Sequence, residues 1–563
     1  MKTVKKIFFY ILTAISLLMP VLLTGCSDRK KSESEAEEHN EIEKVQDNRA
    51  WENACDTPYG KYPETVTYTL AQMSGANNSN LPAGDTYEDN AYTRYLKKML
   101  NIQNQNTYME SEDRYGELVN VLIKDRTLPD VLVVSDKEML NELVENDLVE
   151  DLTEVYDKCT TDRIKKMYES YGHELLDSVK YNGRLMAMPE TVIDHGPCFL
   201  WLRKDWMDEL GLDEPKNLEE AFFIIEKFQK NRMGAEEGED PVGLVCDTSL
   251  VGTTSSNYSV DPVFQSYGAS PQRWQKTGND DIIYGSLTEE TKNALGCLRR
   301  LYQRGILDKD FALRAQNNLR DLVVNGKCGA FFGLWWTPNN PLMDQHERDI
   351  SSDWTPYYFP EDMESAQETY ASFRDNKYVV VRKGYEHPEI VMKILSVLFD
   401  YTRYEAEDAQ EVNNCFALNV DPTARPLVIN VDYNDAVYKV TENLRKAIDG
   451  KLKPENLSAI EKSYYDACAH YLAGKAVTSE DWAAYRSRIS AVGTLVDAHY
   501  TPPEKIYMGD FDLTIPQTLQ TLEKDAFIQI IMGRKPLSYF DTFVSEWYVQ
   551  GGARLMKEIE KNR

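Results

Sequence analysis

Residues 129–138, Pro-Asp-Val-Leu-Val-Val-Ser-Asp-Lys-Glu, decide the fold class. Pro129 and Asp130 end the preceding segment, because proline has no amide hydrogen with which to continue a helix. The next four residues, 131–134, are an unbroken apolar run, which suits a parallel strand that is covered on both faces. Ser135 together with Glu138 predicts a capping box that opens a helix directly after this strand.

The segments before this stretch alternate in the same way between strand and helix. Residues 65–72 (TVTYTLAQ) alternate as a half-buried strand does. Residues 90–100 place apolar side chains on one helical face, and residues 115–124 predict a second helix. The order β-α-β-α indicates an α/β layered domain.

A second α/β block follows after about residue 190. Its predicted elements are strands at 199–202, 327–334 and 377–381, a helix opened by Asn217 and Glu220, a helix at 388–399, and a largely helical tail from Asp432. The chain has 563 residues, whereas single cores stop growing near roughly 250–300 residues. We therefore expect more than one domain.

The charge balance is strongly acidic. The chain has 92 Asp and Glu against 63 Lys and Arg, a net charge of −29. Nucleic acid is disfavoured as the main partner, because a phosphate-binding surface needs a net basic footprint. Docking on anionic lipid headgroups is disfavoured for the same reason. With 42% hydrophobic and 11% aromatic residues, the composition is that of a folded protein.

The N-terminus has the pattern of an export signal. Lysines at positions 2, 5 and 6 precede a mostly apolar run at 7–23, which is shorter than the about 20 residues that a membrane-spanning helix needs. Leu23-Thr24-Gly25-Cys26 then resembles the bacterial lipobox, which implies cleavage before Cys26 and its lipidation. We predict a signal peptide at 1–25, a lipidated Cys26 with a flexible charged tether at 26–61, and a protein anchored by lipid to the extracellular face of the cell membrane.

Chemistry that needs a metal or a cofactor has no local signature. The other eight cysteines form no CxxC pair and lie far apart, so most are expected to be buried, with one disulfide left open; they are 55, 159, 198, 246, 297, 328, 415 and 468. His173-Glu174 lacks the second histidine of a zinc-protease helix, and no P-loop, GxGxxG or GxSxG motif occurs. No metal, cofactor or catalytic residue is therefore assigned.

Several segments resemble the sugar-binding branch of the extracellular solute-binding proteins of ABC transporters, a branch found as lipoproteins of Gram-positive bacteria. Residues 202–212 (LRKDWMDELGL) resemble the family pattern YRKDWLDKLGL almost residue for residue. The remaining matches are residues 182–189 (NGRLMAMP), 215–220 (PKNLEE), 326–336 (GKCGAFFGLWW) and 551–552 (GG). Together the segments span roughly residues 62–560.

The resemblance implies two α/β lobes that are joined by crossover strands and close on a ligand by a hinge motion. It implies lobe one at 62–188 plus 355–405 and lobe two at 189–354 plus 406–563. The implied protein captures an oligosaccharide, passes it to an ABC transporter permease, and acts as a monomer without catalysis. Many relatives carry an acidic calcium loop after the helix at 217–230, but the ligand spacing is broken at 231–240 here. Calcium binding is therefore left open.

Two other functions fit the same sequence. A surface-anchored glycosidase needs only a pair of carboxylates, and acidic residues are abundant. A peptide-binding lipoprotein of the same transport class would have a larger cleft with charged anchors for peptide termini.

Three candidate ligand-binding residues follow Pro189, where the resemblance places a crossing between lobes. Glu190 and Asp194 offer carboxylate oxygens that accept hydrogen bonds from sugar hydroxyls, and His195 lies beside them. A helix cap or a surface ion pair would explain the same acidic residues.

Three further candidates lie beside predicted strands. Asn77 and Asn78 follow the first strand at its carboxyl end, where α/β proteins bind ligands, although turn chemistry also favours asparagine. Arg374 precedes the strand that begins at Lys377 and offers paired donors to hydroxyls or to a uronic carboxylate.

Three tryptophans complete the candidate set. Trp274 lies in a stretch that the family often places at the cleft, whereas core packing is the alternative. Trp335 and Trp336 end a short apolar strand, and an indole covers the apolar face of a sugar ring. Neighbours in an extended segment point to opposite faces, so one is expected to line the cleft and the other to pack in the second lobe.

Overall fold

The computed structural model describes residues 48–75, 81–251, 257–277, 281–360, 369–371, 376–417, 420–501, 505–508 and 513–562. The strands are β1 (Val66–Ser74), β2 (Ile102–Ser111), β3 (Val131–Val134), β4 (Lys180–Tyr181), β5 (Arg184–Leu185), β6 (Met188–Pro189), β7 (Phe199–Arg203), β8 (Trp274–Lys276), β9 (Ile282–Tyr284), β10 (Ala330–Gly333), β11 (Trp354–Tyr357), β12 (Thr369–Ala371), β13 (Tyr378–Val381) and β14 (Lys505–Tyr507).

The helices of the first half are α1 (48–56), α2 (Ala91–Leu100), α3 (Glu112–Asp125), α4 (Lys137–Glu145), α5 (Thr153–Cys159), α6 (Asp162–Glu169), α7 (Glu174–Asp177), α8 (Lys204–Glu209), α9 (Leu218–Lys230), α10 (Asp261–Gln265), α11 (Glu289–Arg304), α12 (Gln316–Val324) and α13 (Met343–Arg348). Those of the second half are α14 (Ile390–Leu395), α15 (Thr402–Tyr404), α16 (Gln410–Ala417), α17 (Ala436–Ile448), α18 (Ala459–Ala473), α19 (Ser479–Ala484), α20 (Gly493–Asp497), α21 (Gln517–Ile531), α22 (Tyr539–Trp547) and α23 (Ala553–Asn562).

The first lobe is built on a five-stranded sheet with the order β2-β1-β3-β13-β6. Strand β1 runs parallel to β2 and β3, and β13 runs antiparallel to β3 and β6. All four residues of β3 are buried, as the apolar run at 131–134 predicts. The α/β fold class is confirmed.

Polar side chains cap the first turns of several helices. The side chain of Asn90 accepts hydrogen bonds from the amides of Tyr92 and Thr93 and begins α2. Asn217 accepts from the amide of Glu220 and begins α9. The predicted Ser135 cap is wrong by one residue, because the Asp136 carboxylate caps α4 through the amide of Met139.

The second lobe contains two smaller sheets. Strand β7 lies between β10 and β11 and is antiparallel to both. The other sheet has the order β14-β12-β8-β9, so it joins residues from three distant parts of the chain. All five residues of β7 are buried, which agrees with the apolar run predicted at 199–202.

The buried cores define where each lobe ends. One core holds buried residues from Ala54 to Met188 and from Tyr378 to Val431. Two adjoining cores hold residues from Phe199 to Phe359 and from Val437 to Ile559. Residues 406–431, which the sequence analysis assigned to lobe two, therefore pack in the first lobe, and β11 (Trp354–Tyr357) pairs within the second.

Three further features concern the thiols, the loop at 231–240 and the length of the helices. The eight cysteines of the described part are free thiols. In the loop at 231–240 the ammonium of Lys327 lies 2.5 Å from Glu236 Oε1 and 3.0 Å from Glu239 Oε2, so a lysine neutralises acids of this loop. Among the helices that the structure describes, none has the length and apolar character to cross a membrane.

Candidate functional site

Three chain segments connect the two lobes and are hydrogen-bonded to one another: residues 190–198, the segment that ends at Lys377, and residues 430–434. The amide of Glu190 donates to the carbonyl of Lys377 at 2.8 Å, which joins the first crossing, 190–198, to the second. The amides of Thr191 and Asp194 donate to the carbonyls of Asn430 and Asn434 at 2.9 and 3.1 Å, which joins the first crossing to the third. The three crossings therefore form one narrow connection, where a hinge between the lobes would lie.

The side chain of Glu190 belongs to this connection. Its Oε1 accepts the amide hydrogen of Asn430 at 3.0 Å, and its pKa is raised by burial, against the opposing charges of Lys377 and Arg425. Thr191 acts similarly, since its hydroxyl accepts the amide hydrogen of Asp432 at 2.9 Å. We assign Glu190 a positioning role in the crossing.

Arg403 fixes the third crossing to the first lobe. Its guanidinium donates to the carbonyl of Val431 at 3.2 Å and to the Asp432 carboxylate at 2.8 Å. Arg403 and its carboxylate partner are both largely buried, so the pair has little competition from water. The first lobe thus holds the end of the third crossing rigidly.

Asp194 is the centre of a polar and aromatic cluster on the second-lobe side. The hydroxyl of Tyr438 donates a short hydrogen bond to its Oδ2, and the amide of Gly196 donates to its Oδ1 at 3.2 Å. The Tyr500 ring lies 6.2 Å from the rings of both Tyr358 and Tyr438. All three tyrosines are half-buried, so each keeps part of its ring or hydroxyl accessible.

Electrostatics in this cluster keep the phenols protonated. Burial raises the pKa of Tyr438, and the Asp194 carboxylate raises it further. The same two causes raise the pKa of Tyr500. Both phenols therefore carry neutral hydroxyl groups at neutral pH.

Gly196 is required by the shape of the first crossing. Its φ is +69°, and a Cβ built on it would lie 2.7 Å from Leu495 Cδ1 and 3.2 Å from the Tyr438 hydroxyl. A residue with a side chain would have both backbone strain and steric overlap here. The close approach brings the crossing against α20 and α17.

His195 is a neutral imidazole with an unused ring nitrogen. Burial lowers its pKa, the positive charge of Lys505 lowers it further, and Asp194 opposes both. Its Nδ1 is buried and has no hydrogen-bond partner among the residues that the structure describes. An unpaired buried nitrogen is costly, so a bound molecule that supplied a donor or an acceptor there would gain binding energy.

Two cations border the cluster from the four-stranded sheet. Lys505 is the first residue of β14, and Arg273 directly precedes β8. Lys505 is exposed to solvent, yet surrounding protein lowers its pKa, against the attraction of Asp194. Within the described ranges, neither cation has a carboxylate partner within ion-pair distance.

The tryptophans predicted for the cleft divide into buried and accessible ones. Trp274 is only 3% exposed, its ring centroid lies 5.0 Å from that of Tyr284 with the two rings tilted, and it donates its indole hydrogen to the carbonyl of Leu513 at 2.9 Å. The indole is thus buried in the core, and the structure corrects the cleft assignment of Trp274.

The adjacent pair at the end of β10 differs in exposure. Trp335 is 6% exposed, and the Arg488 guanidinium lies 4.2 Å from its ring centroid. Trp336 packs against the same core but is only half-buried. Trp336 is therefore the member of the pair whose side chain has accessible surface that a ligand could contact. Its place in the cleft stays a prediction.

Four predicted residues lie outside the part of the chain that the structure describes: Cys26, Asn77, Asn78 and Arg374. The segment just before the two asparagines is described. Gly75 donates its amide hydrogen to the Tyr87 hydroxyl at 3.1 Å, and that hydroxyl donates to Asp421 at 3.0 Å. The loop after β1 thus begins beside a second carboxylate–phenol pair.

The sequence analysis missed Tyr358, Tyr438 and Tyr500. The chain has 34 tyrosines, and these three come from the second crossing, from α17 and from the segment after α20. Nothing local distinguishes them from core tyrosines. A usable signal was the position of Tyr358 just after residue 355, where a boundary between the predicted lobes falls.

A separate groove of about 410 Å³ lies in the second lobe, lined by residues of α13, α18 and α19. Its carboxylate, Asp353, already accepts hydrogen bonds from Arg486 at 3.1 and 2.5 Å and from Trp482 at 2.9 Å. These groups already form hydrogen bonds with one another. Fewer of their polar atoms therefore remain for a ligand than at the crossings. The crossings are the stronger candidate site.

The relatives found by comparison with known proteins are named as a carbohydrate-binding protein and a lipoprotein. No family model matches the chain. A protein of Bacillus subtilis (strain 168) named polygalacturonan/rhamnogalacturonan-binding protein YtcQ is 23% identical over 364 residues, which cover 64% of this chain and 66% of the relative. Lipoprotein LipO of the same strain is 23% identical over 394 residues, 69% of this chain and 73% of the relative.

A solved structure shows the same fold over more of the chain. It is a human-milk-oligosaccharide (HMO) binding, ABC-transporter-associated solute-binding protein from Bifidobacterium longum infantis, with a TM-score of 0.55 and 12% identity. The match covers 88% of this chain and 98% of that one. The chain thus has the fold of the solute-binding proteins.

Proposed function

We propose that this protein is an extracellular solute-binding protein that captures an oligosaccharide and delivers it to an ABC transporter permease. The observation that carries the proposal is the three-segment connection between two lobes, with Asp194 and three tyrosines beside it. A site at such a connection contacts a ligand from both lobes, and closure then encloses the ligand.

The side chains of the cluster suit a sugar. The Asp194 carboxylate is a fixed acceptor for hydroxyl pairs, and His195 Nδ1 is an unused polar atom next to it. Tyrosine rings cover apolar C–H faces of a sugar while their hydroxyls remain able to form hydrogen bonds. Trp336, Asn77, Asn78 and Arg374 remain proposed further contacts.

The relatives support a polymeric carbohydrate as ligand. YtcQ is named for binding polygalacturonan and rhamnogalacturonan, and the structural neighbour is named for binding human milk oligosaccharides. Both are described as binding proteins and not as enzymes, which supports a role without catalysis. Arg273 and Lys505 make acidic sugars worth including among the ligands tested.

The proposed location is the outer face of the membrane. LipO is named a lipoprotein, which supports lipidation of Cys26 here. The lipid would hold a monomer near its permease, and the acidic surface would keep the folded part off anionic headgroups.

A thermal-shift screen of the purified protein tests the proposal. The panel contains neutral oligosaccharides, uronate oligosaccharides and short peptides. A ligand present at 100 times its Kd stabilises the native state by about 2.7 kcal/mol, so a cognate sugar gives a clear rise in melting temperature. A rise with peptides alone would favour the peptide-binding alternative.

The enzyme alternative is tested on the same samples. After incubation with the stabilising oligosaccharide, the sugar is separated from the protein and its reducing ends are counted. Recovery of the intact sugar supports binding without turnover. Many new reducing ends per protein molecule would show that the chain is a glycosidase.

A further inference from the structure

A compact group of three metal-ligating side chains lies in the first lobe, away from the crossings. Cys55 comes from α1, and His387 and Glu389 come from the loop that precedes α14. One ligand atom from each residue lies within 4.8 Å of the other two. We propose that Cys55, His387 and Glu389 form a zinc-binding site, which is independent of the proposed sugar-binding function.

The distance between two of the ligand atoms is close to that in a zinc site. His387 Nδ1 lies 3.2 Å from Glu389 Oε1. Zinc–nitrogen and zinc–oxygen bonds of about 2.0–2.1 Å at a tetrahedral angle separate the two ligand atoms by about 3.3 Å. The Cys55 sulfur lies within 4.8 Å of a ligand atom of both residues, so a short approach of the thiol would complete the set.

The donor set selects zinc among the common biological cations. A thiolate is a soft ligand that calcium and magnesium avoid, whereas zinc binds sulfur, imidazole and carboxylate together. Three protein ligands leave a fourth position for water. Binding displaces the thiol proton of Cys55, which passes to solvent as the sulfur coordinates the metal.

Surrounding groups hold the ligands in place. The His387 ring is stacked on Trp51 at 5.7 Å and meets the edges of Tyr62 and Tyr385 at 5.3 and 6.1 Å. The Tyr62 hydroxyl donates to Glu389 Oε1 at 2.6 Å. Hydrogen bonds and packing of this kind orient metal ligands before the ion arrives.

Lys393 lies beside the three proposed ligands, but its ammonium group is hydrogen-bonded to backbone carbonyls. Lys393 Nζ donates to the carbonyls of Ala54 and Thr57, both at 2.7 Å. Burial lowers its pKa to about 8. The thiol of Cys159 donates to the Cys55 carbonyl at 2.9 Å, whereas the thiol of Cys55 is directed at the Glu389 carboxylate, its proposed partner in the site.

The site would fasten α1 to the first lobe. Helix α1 lies inside the segment 26–61 that was predicted to be a flexible tether, so the structure corrects that prediction for residues 48–56. The contacts of α1 with the loop at 385–389 run through Trp51 and Cys55. A zinc ion shared between α1 and this loop would link the membrane-anchored end of the chain directly to the first lobe.

Cobalt titration of the purified protein tests the site. Cobalt(II) replaces zinc in such sites and gives a near-ultraviolet charge-transfer band only when a thiolate is bound. We expect one equivalent of cobalt to produce this band and zinc to abolish it. Cys55→Ser should lose the band, and His387→Gln should weaken cobalt binding at least tenfold, whereas Cys297→Ser and His173→Gln should behave as wild type.

X-ray absorption at the zinc edge of the wild-type protein gives a result that does not depend on how the variants fold. One sulfur neighbour with nitrogen and oxygen neighbours is expected. A zinc shell of nitrogen and oxygen alone, no charge-transfer band in the wild type, or an unchanged band in folded Cys55→Ser would each overturn the proposal.

Discussion

Asp194 is the residue on which affinity for the oligosaccharide should depend most strongly. Asp194→Asn keeps the side-chain size but removes the charge that accepts from Tyr438 and would accept from a sugar. Hydrogen bonds to charged groups contribute about 1.5–3 kcal/mol, so the Kd should rise roughly 10- to 150-fold. Isothermal titration with the sugar found in the screen measures this change.

The exposed Asp497→Asn serves as the matched control, because its partner Arg445 lies on the surface of the helical tail. It should bind the sugar with wild-type affinity. Equal affinities for Asp194→Asn and the wild type would remove Asp194 from the site.

A second residue-scale prediction concerns Glu523, which is 1% exposed in the second lobe. Burial raises its pKa from 4.5 to about 7, although Tyr284 donates a hydrogen bond to it at 3.0 Å. Between these pH values the unfolded carboxyl loses its proton while the folded one keeps it. Stability should therefore fall as the pH rises from 4.5 to 7, by roughly 3 kcal/mol.

Glu523→Gln should remove this slope, since the amide carries no proton to lose. Urea unfolding at several pH values compares it with the wild type and with Glu560→Gln, a change on the surface of α23. A wild-type slope retained in Glu523→Gln would assign the pH dependence to other groups.

At the residue scale the sequence identified carboxylates better than aromatic residues. The structure places Glu190 and Asp194 in the first crossing, directly after the recognisable segment that ends at Pro189, and their contact with a ligand stays a prediction. Trp274 was misplaced, because a tryptophan beside a strand has the same local pattern whether its ring faces the core or the solvent. Tyr438 and Tyr500 reach Asp194 only through the tertiary fold, which no local pattern encodes.

At the scale of elements, the two tryptophans that follow β10 should differ in role, one supporting stability and the other sugar binding. Trp335→Ala removes a buried indole from beneath Arg488, so the free energy of unfolding should fall by about 3–5 kcal/mol. Trp336→Ala removes a half-buried ring and should cost less stability, but it should weaken sugar binding by about 1–3 kcal/mol, by analogy with stacking on nucleobases.

Urea unfolding and calorimetric titration of both variants separate the two roles. The reverse pattern, with Trp336→Ala the less stable variant and Trp335→Ala the weaker binder, would exchange the assignments. Wild-type affinity in both would remove the pair from the binding surface.

Elements with strong local signals were predictable, and edge elements were not. Strand β3 was found from its apolar run, α2 from the apolar face of residues 90–100, and α9 from the cap at Asn217. Strand β2 was missed because it lies at the edge of its sheet, where few of its residues must be apolar. Residues 406–431 were assigned to the wrong core because lobe membership depends on packing between distant segments, as for Val412 and Ile429.

At the scale of the whole molecule, membrane attachment should depend on one atom, the sulfur of Cys26. Cys26→Ser removes the lipid acceptor that follows Leu23-Thr24-Gly25. The variant should appear in the medium or persist as an unprocessed precursor, as fractionation and mass spectrometry of the N-terminus will show. Processed, membrane-bound Cys26→Ser would contradict lipid anchoring.

Closure of the two lobes is the motion that the proposed function requires. The lobes are joined by three crossings that hydrogen-bond to one another near Glu190, Thr191 and Asn430, so small backbone rotations there would move one core against the other. Small-angle scattering should give a smaller radius of gyration when the cognate sugar is added, and the sugar should be recovered intact. Asp194→Asn at sugar concentrations below its raised Kd should keep the larger radius, while Asp497→Asn should close as the wild type does. An unchanged radius at saturating sugar would mean that the crossings hold the lobes in one arrangement and that capture occurs without a hinge.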